Sequence, residues 1–150
     1  MTDASTRRMM QRDKASAALG MVVEVDEPGV AVVSMIVRDD MTNGFAITHG
    51  GFVFAVADTA FAIACNDDEI VTVSAGADIS FLKPTRAGQT LTARATVRSV
   101  VGRAGVCDVT VTDETGDVVA EFRGRSLTTG RRAYGADGAD GADGSGGADG

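Results

Sequence analysis

The sequence NGFAITHGGFVFAVADTAFAIACN, from Asn43 to Asn66, decides how the rest of the chain folds. It contains His49, the one histidine of the chain, then two glycines and a run of helical character whose one charged residue is Asp58. The run has no polar face, and a helix that is apolar all round is buried on all sides. We therefore predict a helix over roughly 50–65, covered by a sheet and, where one sheet cannot reach, by a second copy of the chain.

The segments around this helix have the patterns of β-strands. Before it, MVVEV and VAVVSMIV flank the turn DEPG and predict a hairpin. After it, IVTVSAGADISFL, TLTARATVRSVV, VCDVTVTDE and VVAEFRGRSLTT are separated by turns, and the second alternates apolar and polar residues as half-buried antiparallel strands do. This order predicts an α+β fold in which a curved antiparallel sheet wraps one long central helix.

Composition indicates one globular domain with a tail. The chain has 150 residues, 44% of them hydrophobic and 23% charged. Residues 4–19 have helical spacing before Gly20 and predict an N-terminal helix. From Gly135 onward only Gly, Ala, Asp and Ser occur, which bury too little apolar surface to fold. We predict a domain over 1–131 and a disordered tail over 132–150, whose four aspartates change the formal charge from −3 to −7.

Charge and motif content argue against several classes of function. The chain is mildly acidic without a basic patch, so we expect no nucleic-acid partner. The N-terminus has no apolar signal core and no run reaches the length of a membrane span, so we expect a cytoplasmic protein without membrane contact. Cys65 and Cys107 lie in apolar runs without metal-ligand spacing, which favours free thiols over a disulfide and no metal site.

Asp58 is the residue whose placement most needs an explanation. The positions that share its helix face are apolar: Phe54, Ala55, Phe61 and Ala62. Burying an unpaired carboxylate is costly, and burial raises its pKa toward that of a general base working near neutral pH. The alternative is a structural aspartate, hydrogen-bonded to the backbone or to a hydroxyl such as that of Thr59.

The start of the helix supplies a second candidate group. Free N–H groups and the positive end of the helix dipole favour a developing anion there, and glycine permits close approach. An anion site beside a carboxylate fits acyl transfer to water. Gly51 and Asp58 are seven residues apart, which is roughly 10 Å along a helix and too far to act on one carbonyl. A two-fold dimer with facing helices would bring the two groups together, so we predict a dimer.

The run from Asn43 to Asn66 resembles the signature of the PaaI-type acyl-CoA thioesterases, the phenylacetic-acid-degradation branch of the hotdog-fold superfamily. The runs ISFLKPTRAGQTLTA, GRAGVCDVTV and VVAEFRGRS resemble further family segments, so the resemblance covers about residues 15–130. It implies a hotdog fold assembled as a dimer or a tetramer of two dimers. It also implies hydrolysis of an acyl-CoA such as phenylacetyl-CoA or hydroxyphenylacetyl-CoA, without a cofactor because coenzyme A is part of the substrate.

The resemblance further implies roles for individual residues. Asp58 would be the general base or nucleophile, and the Gly51 N–H would hold the thioester oxygen. Asn43 and His49 would polarise or orient the carbonyl, and Thr59 would steady the attacking water.

Candidate substrate contacts are less specific. The small hydroxyl residue expected after the helix is Ser74, and Phe54 would line the acyl site. Basic side chains near turns suit the phosphates of coenzyme A, although solvated surface charge is commoner for any one of them: Lys83, Arg86, Arg103 and Arg125. The chain departs from the family at 78–82, where it reads DISFL instead of TIDFL, and at 103–108, where it reads RAGVCD instead of RTGVYD. These differences affect the acyl pocket and the coenzyme A contacts more than the chemistry.

Two other functions use the same residues. A hotdog-fold hydratase or dehydratase acting on acyl thioesters needs a paired His and acidic residue, which His49 and Asp58 could supply. A non-catalytic acyl-CoA-binding domain would need no carboxylate, and would be more stable without one in an apolar helix. The spacing from HGG to ADTAF fits the thioesterase pattern better than either.

Overall fold

A computed structural model describes residues 4–66 and 70–133. In chain order its elements are the helices α1 (Ala4–Arg12) and α2 (Lys14–Ala18), the strands β1 (Val22–Glu27) and β2 (Val30–Ile36), a 3₁₀ turn (Asp39–Met41), the helix α3 (Gly50–Cys65), and the strands β3 (Ile70–Phe81), β4 (Thr90–Val101), β5 (Ala104–Thr112) and β6 (Val118–Arg132). Arg132, the first residue of the predicted tail over 132–150, is the last residue of β6. Residues 134–150 lie outside the described part, so their disorder stays a prediction.

All six strands form one antiparallel sheet in the order β1-β2-β4-β5-β6-β3. The helix α3 packs on one face of this sheet, mainly against β4, β2 and β5. The predicted hotdog arrangement of a long central helix against an antiparallel sheet is therefore confirmed. The sheet leaves β1 and β3 as its edge strands.

The core lies between α3 and the inner face of the sheet. In β5 and in the first half of β4 every second side chain is buried, as the predicted alternation requires, whereas the second half of β4 has no buried residue. The helix contributes its sheet-facing residues: Val53, Val56, Ala57, Ala60, Phe61, Ile63 and Ala64. Gly124 of β6 lies directly under the Phe61 ring, where a Cβ atom would come within 2.6 Å of the ring carbons. A glycine at this position lets the largest side chain of the core reach the sheet.

The opposite side of α3 is only partly covered within one chain. Gly51 is exposed, and Phe54, Ala55 and Asp58 are half-buried. The expected burial on all sides is thus not reached by the sheet of a single chain. This open side is where the functional side chains lie.

The N-terminal segment differs from the single helix predicted over 4–19. The helix breaks at Asp13, which leaves helical geometry (φ −79°, ψ 88°) to cap α2 by accepting a hydrogen bond from the Ser16 N–H. Asp side chains compete with the backbone in this way and favour caps over helix interiors. Gly20, with φ +68°, ends the segment as predicted.

Both cysteines are free thiols, as predicted. Cys107 is buried, and a hydrogen bond with the Cys65 thiol together with burial raises the pKa of Cys107. Within residues 4–66 and 70–133, no helix is long and apolar enough to cross a membrane. The same residues contain no cluster of three or more His, Cys, Asp or Glu side chains suited to a metal ion.

Gly124→Ala tests the contact that seats α3. The added methyl group would overlap the Phe61 ring, and overpacking of this kind lowers the free energy of unfolding by about 1–3 kcal/mol. Gly44→Ala is the matched control, because a Cβ there meets no atom within 4 Å. Denaturant titration should show a clear loss for the first variant and a change within about 0.5 kcal/mol for the second. Equal stability of the two variants would contradict the proposed close contact.

Candidate active site

The segment that leads into α3 is fixed by hydrogen bonds on both sides. The His49 N–H donates to the Met41 carbonyl at 2.8 Å, and Met41 is fully buried. The Thr48 N–H donates to the Thr85 carbonyl at 2.8 Å, and the two threonine hydroxyls are 2.7 Å apart. Hydrogen bonds to buried residues of two loops, at Met41 and at Thr85, therefore hold the segment before α3 in place.

His49 caps α3 with its own side chain. Its Nδ1 accepts a hydrogen bond from the Gly51 N–H at 3.0 Å. A neutral imidazole whose Nδ1 accepts carries its proton on Nε2, so Nε2–H is a donor for a ligand. The Gly51 N–H, predicted to hold the thioester oxygen, is thus engaged by His49 in this structure. The preceding Gly50 N–H has no acceptor in the described part of the chain.

Asn43 stands beside this helix start. Its Oδ1 accepts a hydrogen bond from the Phe45 N–H at 2.9 Å, which forms a turn at Asn43 and Gly44. The amide Nδ2 has no hydrogen-bond partner among residues 4–66 and 70–133 and remains a donor. Asn43 and Gly50 line one cleft of about 440 Å³. The predicted residues Asn43 and His49 and the glycine pair are therefore close together.

Apolar side chains form most of this cleft. Its further lining residues are Ile47, Thr48, Val53, Phe81, Leu82, Lys83, Pro84, Thr85 and Val119. Phe81 and Leu82 are exposed by 56% and 62%, which is unusual for large apolar residues at the end of a strand. The cleft thus offers an apolar wall beside the donors of the helix start.

Asp58 lies outside this cleft, further along the open side of α3. It is half-buried, and its carboxylate has no hydrogen bond or ion pair with any described residue. Burial raises the pKa of Asp58 above its ordinary value, as the sequence predicted. The structural alternative, a hydrogen bond to Thr59, is not formed, because the Thr59 hydroxyl is 3.1 Å from the Ser16 hydroxyl instead.

The two candidates for the acyl site lie on the α3 side of the sheet. Phe54 packs edge-on against Phe122, with ring centroids 5.4 Å apart. Ser74 is paired with Ser126 of β6. Directly opposite residues of an antiparallel pair point to the same face, and Ser126 shares the face of Gly124, which lies against Phe61. Ser74 therefore points to that face as well, and it is exposed in the single chain.

The structure separates the four basic residues predicted to bind phosphate. Arg86 is exposed and donates to the Ala46 carbonyl at 3.1 Å, beside the Asn43 turn. Lys83 Nζ is held by the carboxylates of Asp113 at 2.6 Å and Asp117 at 2.7 Å. Of the four, Arg86 is thus the one placed near the helix start with an exposed guanidinium that has no carboxylate partner within the described residues.

The other two lie elsewhere. Arg103 donates through Nε to the Thr128 carbonyl at 2.9 Å and lines a small cavity with Cys65, at the far end of α3. Arg125 alternates with the buried residues of β6 and therefore lies on the outer face of the sheet, 2.6 Å from Asp78. The structure does not bring Arg103 or Arg125 to the cleft.

Sequence reasoning missed two residues that contact the candidate site. Asp13 and Ser16 of the N-terminal segment connect to Thr59 by side-chain hydrogen bonds. The spacing of Asp13 and Ser16 is that of an N-cap and the residue it binds, so the helix start at Asp13 was readable from the sequence. The contact with Thr59 was not, because it joins residues 43 positions apart.

Comparisons with known proteins agree with this geometry. The Thioesterase superfamily profile matches residues 45–120. The chain is 43% identical over 123 residues to the acyl-coenzyme A thioesterase PaaI of Escherichia coli (strain K12), covering 81% of this chain and 87% of that protein. The solved structure of the E. coli PaaI protein from the phenylacetic acid degradation operon superposes with a TM-score of 0.83 at 40% identity, covering 85% and 93% of the two chains.

A more distant structure contains a ligand. The protein smu.793 from Streptococcus mutans UA159, solved with acetyl CoA bound, superposes with a TM-score of 0.71 at 26% identity. The match covers 75% of this chain and 90% of that one. A fold of this kind therefore accommodates a coenzyme A thioester in that protein.

Asp113→Asn should lower thermal stability near neutral pH, whereas Asp58→Asn should not. A raised pKa means that the native state binds the proton of Asp58 more tightly than the unfolded chain does, so the charged form destabilises the fold and the neutral amide relieves this. The pKa of Asp113 is held well below its usual range, first by the hydrogen bond from Lys83, so its charge stabilises the fold. Thermal unfolding should show an equal or higher Tm for Asp58→Asn and a lower Tm for Asp113→Asn. A marked decrease for Asp58→Asn would indicate a structural role for that carboxylate.

Proposed function

Because the chain belongs to the thioesterase superfamily, as a hotdog-fold thioester hydrolase of the PaaI type, we propose that it hydrolyses arylacyl-coenzyme A thioesters with Asp58 as general base or nucleophile. The observation that carries this proposal is the unpaired, half-buried carboxylate of Asp58 on the helix that begins with His49, Gly50 and Gly51. Phenylacetyl-CoA and hydroxyphenylacetyl-CoA are the proposed substrates, in line with the E. coli relative from the phenylacetic acid degradation operon.

The proposed reaction uses the groups in order. Asp58 removes a proton from water while the water oxygen attacks the thioester carbon, and the carbonyl oxygen becomes an oxyanion. The Gly51 N–H and the positive end of α3 stabilise this charge, with the His49 ring yielding the N–H that it holds in the free protein. The carbon–sulfur bond then breaks, the coenzyme A thiolate takes up the proton that Asp58 removed from the water and leaves as a thiol, and the free acid remains. Coenzyme A enters as part of the substrate, and the proposed steps need no cofactor.

The cleft beside the helix start supports an arylacyl preference. Its walls are largely apolar and include Phe81 and Leu82. The free Nδ2 of Asn43 and the Nε2–H of His49 can donate to a carbonyl oxygen from the rim. Arg86, close to the same loop, is our candidate for a phosphate of coenzyme A.

Asp58 and Gly51 need a second subunit to meet, and the edge strand β3 supports one. β3 is twelve residues long and carries one charged residue, Asp78, which is paired with Arg125. It also exposes Val73 and Phe81. Long edge strands without lysine or proline are prone to pair with another strand. We propose that two copies of β3 pair around a two-fold axis, which extends the sheet and places both α3 helices on the same face.

This dimer has a simple geometric requirement. Gly51 of one subunit approaches Asp58 of the other when the two-fold axis passes midway between those positions, beside Phe54 and Ala55. Both of these residues are half-buried and lie on the open side of α3. The proposed site thus forms twice per dimer. A tetramer made of two such dimers is compatible with the same site.

The hydratase alternative has less support. A hydratase needs a histidine paired with an acidic residue, but within the described part of the chain the Asp58 carboxylate makes no hydrogen bond or ion pair with His49. Measuring thioester hydrolysis distinguishes the non-catalytic alternative from the proposal, because a binding domain would release no thiol.

Release of free thiol from a panel of acyl-coenzyme A thioesters tests the proposed reaction. We expect the wild type to hydrolyse arylacyl substrates and Asp58→Asn to lose roughly 10²- to 10⁴-fold in kcat, because the near-isosteric amide cannot act as a base or nucleophile. Glu24→Gln, which removes an exposed carboxylate from β1, is the matched control and should retain wild-type kcat. The proposed function fails if the wild type releases no thiol, and the proposed role fails if Asp58→Asn stays active.

Mixing two inactive variants tests the shared site. Asp58→Asn lacks the base, and Gly51→Pro lacks the N–H donor at a first-turn position where proline is tolerated. After the subunits are exchanged, half of the dimers are mixed and each mixed dimer has one intact site, so activity should recover to about one quarter of the wild-type level. No recovery after demonstrated exchange would mean that both groups act within one chain, and a monomer on a sizing column would exclude the dimer.

A further inference from the structure

Three side chains form a continuous hydrogen-bonded row from the N-terminal segment to α3. The Asp13 carboxylate accepts from the Ser16 N–H at 2.9 Å and from the Ser16 hydroxyl at 2.6 Å. The Ser16 hydroxyl is in turn 3.1 Å from the Thr59 hydroxyl. Ser16 is only 3% exposed, so water does not replace these contacts.

The chemistry of these three side chains determines which group donates in each hydrogen bond. An ionised carboxylate only accepts hydrogen bonds, and a serine hydroxyl has one hydrogen to donate. The Ser16 hydrogen therefore points to Asp13, and Thr59 must be the donor in its bond with Ser16. With its one hydrogen committed, the Thr59 hydroxyl can offer only lone pairs to any other partner.

We propose that Asp13 and Ser16 are positioning residues that hold the Thr59 hydroxyl as a hydrogen-bond acceptor for the attacking water. Thr59 follows Asp58 in the sequence and is half-buried where α2 meets α3. A water molecule that gives one hydrogen to Asp58 and the other to Thr59 has its oxygen lone pair left for the thioester carbon. This inference rests on the proposed function, and it assigns to the N-terminal segment a part in the reaction.

The helix α2 that carries Ser16 has a second, independent anchor. Arg38 donates through Nη1 to the carbonyl of Ala18 at 2.9 Å, near the other end of α2. The hydrogen bonds of Arg38 go to the Ala18 carbonyl and to Asp40, and none of them joins Asp13, Ser16 or Thr59. Its substitution therefore loosens α2 without altering the hydrogens of Asp13, Ser16 and Thr59, which provides a control for a purely structural effect.

A double-mutant cycle on kcat and KM tests the proposal with Ser16→Ala, Thr59→Val and the double variant. Loss of one orienting hydrogen bond should lower kcat roughly five- to tenfold in Ser16→Ala and leave KM unchanged. In the Thr59→Val background, Ser16→Ala should cause no further decrease, because Ser16 acts through that hydroxyl. Arg38→Met should keep kcat within about twofold of the wild type.

Asp13→Asn tests the direction of the row without removing the helix cap. Asn is as good an N-cap as Asp, and the Oδ1 of Asn can still accept the hydrogen bond from the Ser16 N–H. The amide nitrogen must then donate to the Ser16 hydroxyl, which turns the Ser16 hydrogen toward Thr59. We expect kcat to fall as in Ser16→Ala while the Tm stays near that of the wild type. This variant keeps the proposal testable if Ser16→Ala folds poorly.

Three results would overturn the proposal. They are an unchanged kcat in Ser16→Ala or Asp13→Asn, an unchanged kcat in Thr59→Val, and an equal decrease from Ser16→Ala with and without the Thr59 hydroxyl. The last result would assign Ser16 a structural role. Failure of the proposed function is a separate result, because the wild type would then release no thiol or Asp58→Asn would remain active.

Discussion

The packing of Phe61 of α3 against Gly124 of the sheet is the contact on which the rest of the molecule depends. Phe61 enters the space left by Gly124 and packs near Phe122, with ring centroids 5.8 Å apart. This contact fixes the rotation of the helix about its axis. It turns the small and branched residues of α3 toward the sheet, leaves Asp58 on the open side and sets Thr59 against α2. An apolar helix could otherwise rotate with little change in buried area, since apolar burial has no preferred direction.

Apolar patterns gave the most reliable predictions from the sequence. The bounds of α3 follow from an unbroken apolar run, and the structure agrees with them. The alternation of β4 follows from apolar residues at every second position, and the structure agrees with it in the first half of the strand. The break at Asp13 was missed because a local cap competes with helix continuation, and helical spacing alone does not register that competition. The carboxylate of Asp58 was recognised because a charge within an apolar run stands out whatever the tertiary structure.

Interactions between distant residues were the part that the sequence could not supply. Lys83 was a reasonable candidate for phosphate, but its two carboxylate partners come from the turn between β5 and β6, thirty or more positions later in the chain. The location of Arg125 on the outer face could have been predicted from the sequence, because the alternation of β6 puts Arg125 and Phe122 on opposite faces of the sheet. The hydrogen bond from Gly51 to His49 depends on one side-chain rotamer, which no pattern encodes.

The clamp formed by Lys83 with Asp113 and Asp117 has a consequence for behaviour in acid. It ties one wall of the cleft to the turn between β5 and β6, and the hydrogen bond from Lys83 keeps the pKa of Asp113 well below its usual range. The pKa of Asp58 is shifted the other way by burial. As pH falls, Asp58 gains its proton first, while the clamp still stands and is lost only as pH falls through the lower pKa of Asp113. Protonation of Asp58 and loss of the clamp are therefore separated on the pH scale, and a mildly acidified molecule retains the shape of its cleft with a protonated carboxyl on the helix beside it.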